Sequence, residues 1–255
     1  MPVMSVYFLS DLHLGAPYFP DSKDSERRIV SFLDYIKKDA EAIYLLGDIL
    51  DYWYEYRYAV PRGFVRFFGK LAELSDAGIK IVWIKGNHDI WIYDYLPTEL
   101  GIEVVDGAVS VELYGKNFYL AHGDGEGKQS RSFRFIRWLF RNRVCQRAFS
   151  AIHPRWTVPF AYNWSRHSRM EGEARGLPDN VLLSGLREFC TSYYSSHPDV
   201  DYFMFGHVHV LSREKVADGC EMIVLGEWIR TCSYAVLNDD GLELRIWKQN
   251  PDNFR

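Results

Sequence analysis

Five short polar motifs, each standing directly after an apolar run, constrain this chain more than any other feature. Asp11-Leu12-His13 comes shortly after the run Met4–Leu9, and Gly47-Asp48-Ile49-Leu50-Asp51 follows Ala42–Leu46. Gly86-Asn87-His88-Asp89 follows Ile79–Ile84, His122-Gly123-Asp124 follows Asn117–Ala121, and Gly206-His207-Val208-His209 follows Asp201–Phe205. Short apolar runs of this kind read as strands buried on both faces. In open α/β sheets ligands gather beyond the carboxyl ends of strands, so five distant segments can meet in one cleft. They deliver imidazole, carboxylate and amide oxygen, a donor set suited to Mn²⁺, Zn²⁺ or Fe. In Asp-x-His and His-x-His, an extended backbone turns residues i and i+2 to the same side, within reach of one ion or two adjacent ions. The glycines at 47, 86, 123 and 206 let the chain turn sharply beside a ligand. Any one motif alone is a common surface accident; the ordered series is not.

The rest of the chain supplies the scaffold. Ser25 followed by Glu26 is read as the opening of a helix that carries Ile29, Phe32, Leu33 and Ile36 on one face. Phe64, Phe67, Phe68, Leu71 and Leu74 repeat at helical spacing up to Gly78, a C-capping residue. Strand, helix, strand, helix, strand predicts a parallel sheet with right-handed crossovers. After Gly101 the pattern changes to a hairpin, Val109–Tyr114 and Asn117–Ala121 around Gly115-Lys116. A helix near Asp179–Tyr194 and strands at Asp201–Phe205, Glu221–Leu225, Ser233–Leu237 and Leu242–Trp247 complete the reading. The expected organisation is one α/β core, residues 1–124 and 181–255, with a basic and apolar helical lid inserted at 125–180.

No apolar stretch approaches the roughly 18–20 residues that cross a bilayer. The opening MPVMSVYFLSD has no basic region leading into an apolar one, so no secretory signal is expected. Four cysteines without a C-x-x-C pair read as reduced thiols of a cytosolic protein and exclude zinc-finger and disulfide frameworks. Charge is unevenly spread. Between Glu126 and Glu171 the chain has no acidic residue and ten Lys or Arg, so that segment is +10; the remainder is 20 − 34 = −14, for a net −4. A basic block in an acidic protein points to a polyanionic partner. Within it Arg131, Arg134, Arg137 and Arg141 share one helical face, and Phe133, Ile136, Leu139, Phe140 and Val144 occupy another. Such a helix suits an anionic membrane surface, a lid whose arginines meet phosphates while it covers acyl chains, or a helix packed on the domain by its aromatic stripe. Nucleic acid is disfavoured because the remaining surface would repel it.

The ordered series DxH, GDxxD, GNHD, H and GHxH resembles the pattern of the calcineurin-like metallophosphoesterase family, element by element, over about residues 7–209. That resemblance implies an αββα sandwich, four layers with two facing β-sheets, and two divalent metal ions at the strand ends. Carried over by position, Asp11, His13, Asp48 and His209 would bind one metal, and Asn87, His122 and His207 the other, with Asp48 shared. Two such ions make water a usable nucleophile near neutral pH and clamp phosphate oxygens. His88 would protonate the leaving oxygen or stabilise the transition state, and Asp51 would fix its tautomer. Asp89 and Asp124 are further carboxylates near these motifs, without an assigned role.

Within that family the chain looks most like the UDP-2,3-diacylglucosamine pyrophosphohydrolases of lipid A biosynthesis in Gram-negative bacteria. The shared features are length, a basic helical lid between HGD and GHxH, and a V-L-G-x-W segment, here Val224-Leu225-Gly226-Glu227-Trp228. The resemblance implies hydrolysis to UMP and 2,3-diacylglucosamine 1-phosphate, usually with Mn²⁺ (Zn²⁺ or Fe²⁺ being alternatives), at the cytoplasmic face of the inner membrane. One departure is plain: well-known members have GNRD where this chain has His88. Expected substrate contacts are Asn87, His88, Tyr162, Asn163, Arg166 and Arg169, and no obligate protein partner is inferred. The alternatives are a metallophosphoesterase acting on another phosphodiester, nucleotide or phosphomonoester, and a noncatalytic metal-site scaffold.

Overall fold

Alternate side chains of the first strand point into two different cores, and this sets the layering of the molecule. Val6 and Phe8 pack against one set of buried residues, and Tyr7 and Leu9 against another. The computed structural model describes residues 4–17, 19, 21–127, 131–176 and 178–248, with Ser132 and residues 166–175 described by backbone alone. The elements are β1 (Ser5–Leu9), α1 (Ser22–Ile36), β2 (Ala40–Leu46), α2 (Val65–Asp76), β3 (Lys80–Ile84), α3 (Tyr95–Leu100) and β4 (Glu103–Val105). Next come β5 (Val109–Leu113), β6 (Lys116–Leu120), α4 (Arg131–Arg141), α5 (Arg143–Ser150), α6 (Pro154–Arg175), α7 (Asp179–Leu182) and α8 (Ser184–Tyr194). The chain continues through β7 (Tyr202–Phe205), β8 (Leu211–Ala217), β9 (Cys220–Leu225), β10 (Ser233–Asn238) and β11 (Gly241–Ile246).

Six strands form one sheet in the order β11-β10-β1-β2-β3-β4, and five form a second, β5-β6-β7-β9-β8. The pairs β1–β2, β2–β3, β6–β7 and β7–β9 are parallel. Between the sheets lie Phe8, Tyr44, Leu46 and Ile84 from one side and Phe118, Leu120, Met204 and Leu225 from the other. The outer face of the first sheet is covered by Phe32, Leu33, Phe67, Leu71 and Leu96 of α1, α2 and α3. That of the second meets Leu186 and Cys190 of α8. This is the expected αββα sandwich. All parallel strands point their carboxyl ends to the same edge, where the polar motifs stand.

Several local expectations shift. The helix expected to open at Ser25 begins at Ser22, because Asp21 caps it by accepting the Lys23 N–H at 2.7 Å. Glu26 is instead buried, and its Oε1 accepts N–H groups of Arg66 (2.7 Å) and Phe67 (3.1 Å). It thereby caps α2, whose own N-cap residue Phe64 has no side-chain hydrogen bond. The hairpin turns at Tyr114 and Gly115, both at positive φ, as a two-residue reversal requires. The helix expected at Asp179–Tyr194 divides at Leu183. Sequence periodicity misses β4, which is three residues long, and the edge strand β8, whose charged residues hide its pairing with β9.

The basic segment forms α4, α5 and α6, and these pack on Tyr52, Tyr54, Ile90 and Trp91 through Phe140, Phe149, Val158, Ala161 and Tyr162. Polar contacts fix the arrangement. Tyr54 Oη donates to the Gln146 carbonyl at 2.6 Å and Trp91 Nε1 to the Phe140 carbonyl at 2.9 Å. Tyr56 Oη and Thr157 Oγ1 share a hydrogen bond of 2.6 Å. Two of the four arginines read as a common helical face turn toward the core. Arg137 Nε donates to Asp124 at 2.9 Å, and Arg141 pairs with Asp106. The side turned to solvent is aromatic: Phe135, Trp138, Trp156, Phe160 and Trp164 are all exposed, Trp156 to 69%.

Candidate metal centre

The loops after β1 and β2 continue to pair beyond the strands, which fixes the first two motifs against each other. Asp11 N–H donates to the Gly47 carbonyl at 3.1 Å, His13 N–H to that of Asp48 at 2.9 Å, and Asp51 N–H to that of Leu14 at 3.0 Å. Asp11, His13, Asp48, His207 and His209 all have positive φ, five of the eight non-glycine residues that do so among the described residues. Each such backbone costs on the order of 1–3 kcal/mol and persists only where the surroundings impose it. Here the strain turns side chains from separate loops toward one point.

The carboxylates each divide their two oxygens. Asp11 Oδ2 accepts the His207 N–H at 3.0 Å and Asp48 Oδ1 the His88 N–H at 2.9 Å. Asp11 Oδ1 and Asp48 Oδ2 are left facing inward. The imidazoles do the same. His122 Nδ1 donates to the Leu46 carbonyl at 2.8 Å and His13 Nδ1 to Asp51 Oδ1 at 3.1 Å, which leaves both Nε2 lone pairs to the centre. There His13 Nε2 lies 3.2 Å from His209 Nε2, which is 3.1 Å from Asp11 Oδ1. His122 Nε2 is 3.3 Å from Asp48 Oδ2 and 3.2 Å from Asn87 Oδ1. Asp48 Oδ2 also lies 3.8 Å from His13 Nε2, so it stands between the two sets. Asp11, His13 and His209 form one group of converging ligand atoms, and Asp48, His122 and His207 another, each within 4.8 Å. The structure thus brings together all seven candidate ligands.

Two imidazole nitrogens facing each other at 3.2 Å among inward carboxylate oxygens need a cation between them, whether proton or metal. The titration of the site says the same. Burial alone would drive His13 toward neutrality, but hydrogen bonds to Asp11 and Asp51 outweigh it and lift its pKa to about 9. Burial would raise the Asp48 carboxyl, yet the His122 and His88 charges hold it well below the carboxylate range. His207 is pushed down to about 4 by burial and then by the His122 charge. Buried, mutually close N and O donors held partly by protons are the donor set that divalent metals compete for.

Around this centre the structure assigns places to other residues. His88 stands edge-on to His13, ring centroids 4.8 Å apart, and its side chain is 20% exposed. Its Nδ1 donates to the Asp51 backbone carbonyl at 3.0 Å, so Asp51 orients it by main chain. The Asp51 carboxylate, expected to do that, lies 3.6 Å from the same Nδ1 through Oδ1, which also meets His13, while Oδ2 accepts the Ser165 hydroxyl at 2.9 Å. Ser165 is buried on α6, and no sequence signal marks it, because the contact spans 114 residues. Asp89 is fully buried and ties the loops together, accepting from Gly86 N–H (2.7 Å), Ile49 N–H (2.9 Å) and Trp83 Nε1 (3.2 Å). Burial and the neighbouring Asp48 charge raise its pKa to about 6. Trp228, of the V-L-G-x-W segment, donates its N–H to the Asp11 carbonyl at 3.1 Å. Tyr162 packs beside Tyr52, ring centroids 5.8 Å apart, and burial together with the Asp51 charge raises its pKa. Asn163 is exposed, and the side chains of Arg166 and Arg169 lie outside the described residues, as does the tail at 250–255.

Gly86 shows how tightly the loops close. A Cβ there would lie 2.2 Å from Asp48 Oδ1 and 2.4 Å from Asp48 N. Gly86→Ala must therefore displace the shared carboxylate. The expected outcome is at least a roughly tenfold loss of metal affinity in a chain that still folds, read by metal analysis after dialysis beside circular dichroism. Wild-type metal retention would show that this loop yields freely.

The comparisons agree with the geometry. A family model described as calcineurin-like phosphoesterase matches residues 4–211. A UDP-2,3-diacylglucosamine hydrolase of Porphyromonas gingivalis is 44% identical over 94% of this chain and 96% of its own length. One from a Shewanella strain is 25% identical over 95% and 97%. Among solved structures, a dimetal phosphatase from Danio rerio aligns with a TM-score of 0.49 at 17% identity, covering 96% of each chain. By the matched model and the 44% identical relative, this chain is a metal-dependent phosphoesterase and belongs to the calcineurin-like phosphoesterase family.

Proposed function

We propose that this chain hydrolyses the pyrophosphate bond of UDP-2,3-diacylglucosamine, giving UMP and 2,3-diacylglucosamine 1-phosphate. The observation that carries this reading is the near full-length 44% identity to a hydrolase of that name. In this reading Asp11, His13, Asp48 and His209 hold one divalent ion, and Asn87, His122 and His207 the other, with Asp48 shared. Mn²⁺ is the proposed native metal; Zn²⁺ and Fe²⁺ suit the same N and O donors. When bound, such a pair supplies Lewis acidity that makes water nucleophilic near neutral pH and offsets phosphate charge. The protein's share is the rest. Asn87 and His88 face the phosphate, His88 gives or shares a proton with the leaving oxygen through Nε2, and the Asp51 carbonyl keeps Nδ1 protonated. Ser165 ties α6 to Asp51, so the helical segment at 125–180 acts as a lid whose seating and ligand orientation are coupled. Tyr162, Asn163, Arg166 and Arg169 are the proposed contacts to sugar and phosphate.

A lipid substrate calls for a route to the bilayer. No helix among the described residues is long and apolar enough to cross one. The exposed aromatic side of α4 and α6 suits the headgroup boundary of an anionic inner-membrane surface, on the cytoplasmic side. This revises the expected membrane face, since Arg137 and Arg141 are turned to Asp124 and Asp106. A second reading, hydrolysis of a different phosphodiester, nucleotide or phosphomonoester, is favoured by His88, which stands where the better-known pyrophosphohydrolases have arginine. The deciding assay offers the Mn²⁺-loaded protein UDP-2,3-diacylglucosamine beside bis-p-nitrophenyl phosphate. UMP released from the acylated sugar, with little turnover of the ester, is the expected result. Turnover of the ester with none of the lipid supports the second reading and ends the first; neither activity with metal bound makes the chain a scaffold.

A further inference from the structure

Beneath α5, a cavity of about 460 Å³ opens between the basic segment and the edge of the first sheet near β3 and β4. It is lined by five cationic side chains, Arg57, Lys85, Arg141, Arg143 and Arg147, against two carboxylates, Glu55 and Asp106. Both carboxylates are spoken for. Glu55 accepts the N–H groups of Asp94 (2.9 Å) and Tyr95 (3.2 Å) at the start of α3 and the Trp53 indole N–H (3.0 Å). Asp106 pairs with Arg141. Arg57, Lys85, Arg143 and Arg147 thus line one concavity without an ion pair among the described residues.

That arrangement is costly when empty of anions. Arg143 and Arg147 stand one turn apart on α5, where like charges destabilise a helix. Arg143 is also the first residue of that helix, at the positive end of its dipole. Lys85 is half-buried and meets the Tyr93 ring, with 5.8 Å from Nζ to the centroid. An oxyanion entering the cavity would relieve both repulsions and give the half-buried Lys85 a counter-charge, and guanidinium forks match tetrahedral oxygens in pairs. None of the seven candidate metal ligands lines the cavity, and Tyr54 and Ile90 of the aromatic cluster form part of its wall.

We propose that this cavity is a second phosphate-binding site, separate from the metal centre, that takes a phosphate monoester or diester group on Arg143, Arg147, Lys85 and Arg57. The group can belong to a phospholipid head or to a soluble phosphate. This proposal does not depend on which phosphoester the metal centre cleaves.

The test uses the full-length, Mn²⁺-loaded protein and two probes, inorganic phosphate and vesicles of phosphatidylglycerol with phosphatidylcholine vesicles as reference. Arg143→Gln with Arg147→Gln should lose binding about tenfold or more to at least one probe. Arg143→Lys with Arg147→Lys should retain most of it, which separates charge from folding. Arg62→Gln with Arg66→Gln removes the same charge from exposed positions outside the cavity and away from α4 and α6, and should retain binding. Loss confined to the phosphate probe assigns a soluble ligand, and loss confined to phosphatidylglycerol assigns a lipid head; either supports the site. Equal loss in both Gln pairs would reduce it to diffuse attraction, and no loss in the first pair would remove it. Metal content after dialysis should be unchanged in the Arg143→Gln, Arg147→Gln protein; a matching loss would place the cavity within the metal centre and overturn its separateness.

Discussion

Asp48→Asn is expected to leave fewer than two metal ions per chain and to lower turnover by on the order of 10³-fold, since a Lewis-acid pair contributes several kcal/mol to the transition state. The geometry makes this residue unlike the others. Its Oδ2 lies 3.3 Å from His122 Nε2 and 3.8 Å from His13 Nε2, so one carboxylate serves both groups of ligands. Asparagine preserves shape and can still accept the His88 N–H now held by Oδ1 at 2.9 Å. What it removes is the negative charge, and with it the strongest attraction for cations in a buried site. Single replacements at His209 or His207 should weaken mainly one group each. Metal analysis after dialysis, beside steady-state kinetics, separates these cases. An Asp48→Asn protein that keeps two ions and full turnover would show that the two groups do not share this side chain.

Much of this site is legible in the sequence because its chemistry is local to strand ends. A parallel strand buried on both faces reads as an apolar run, and the first polar residues after it must lie at the sheet's edge. The spacing of Asp11, Asp48, Asn87, His122 and His207 after those runs puts them at that edge, and the family resemblance adds which ion each would hold. What spacing cannot supply is the partner across the fold. Asp51 stands three residues from Asp48, which points to a neighbouring role for its carboxylate. In the structure that carboxylate also engages His13 and Ser165 on α6, and the shorter contact to His88 is made by the Asp51 carbonyl, at 3.0 Å against 3.6 Å from Oδ1. The basic segment shows the same limit. A helical projection separates arginines from aromatics but does not say which side meets the protein. The core offers Asp124 and Asp106 there, so Arg137 and Arg141 turn inward and Phe135 and Trp138 remain outside. Edge strand β8 escaped for a related reason: its charged side chains are tolerated because it pairs with one neighbour only.

His88→Ala should lower turnover by about 10²–10⁴-fold, the usual contribution of a positioned acid or base, with two metal ions retained. The second half of that expectation carries the discrimination. His88 groups with His13 and Asp51 as closely as the other ligand atoms group among themselves, so a ligand role is a concrete rival. Its environment argues otherwise. The ring is partly exposed, its Nε2 stands 3.9 Å from Asp48 Oδ2, and its Nδ1 is held by a backbone carbonyl. A side chain so placed keeps Nε2 free to meet a phosphate oxygen. Loss of metal in step with activity would make His88 a ligand. His88→Arg then resolves how it acts. A guanidinium can neutralise phosphate charge but cannot give up a proton near neutral pH. If His88 works as an electrostatic clamp, Arg restores much of the turnover lost in the Ala variant. If it works as a proton donor, Arg leaves turnover low, and the alkaline-side fall of the wild-type pH profile is absent from both variants.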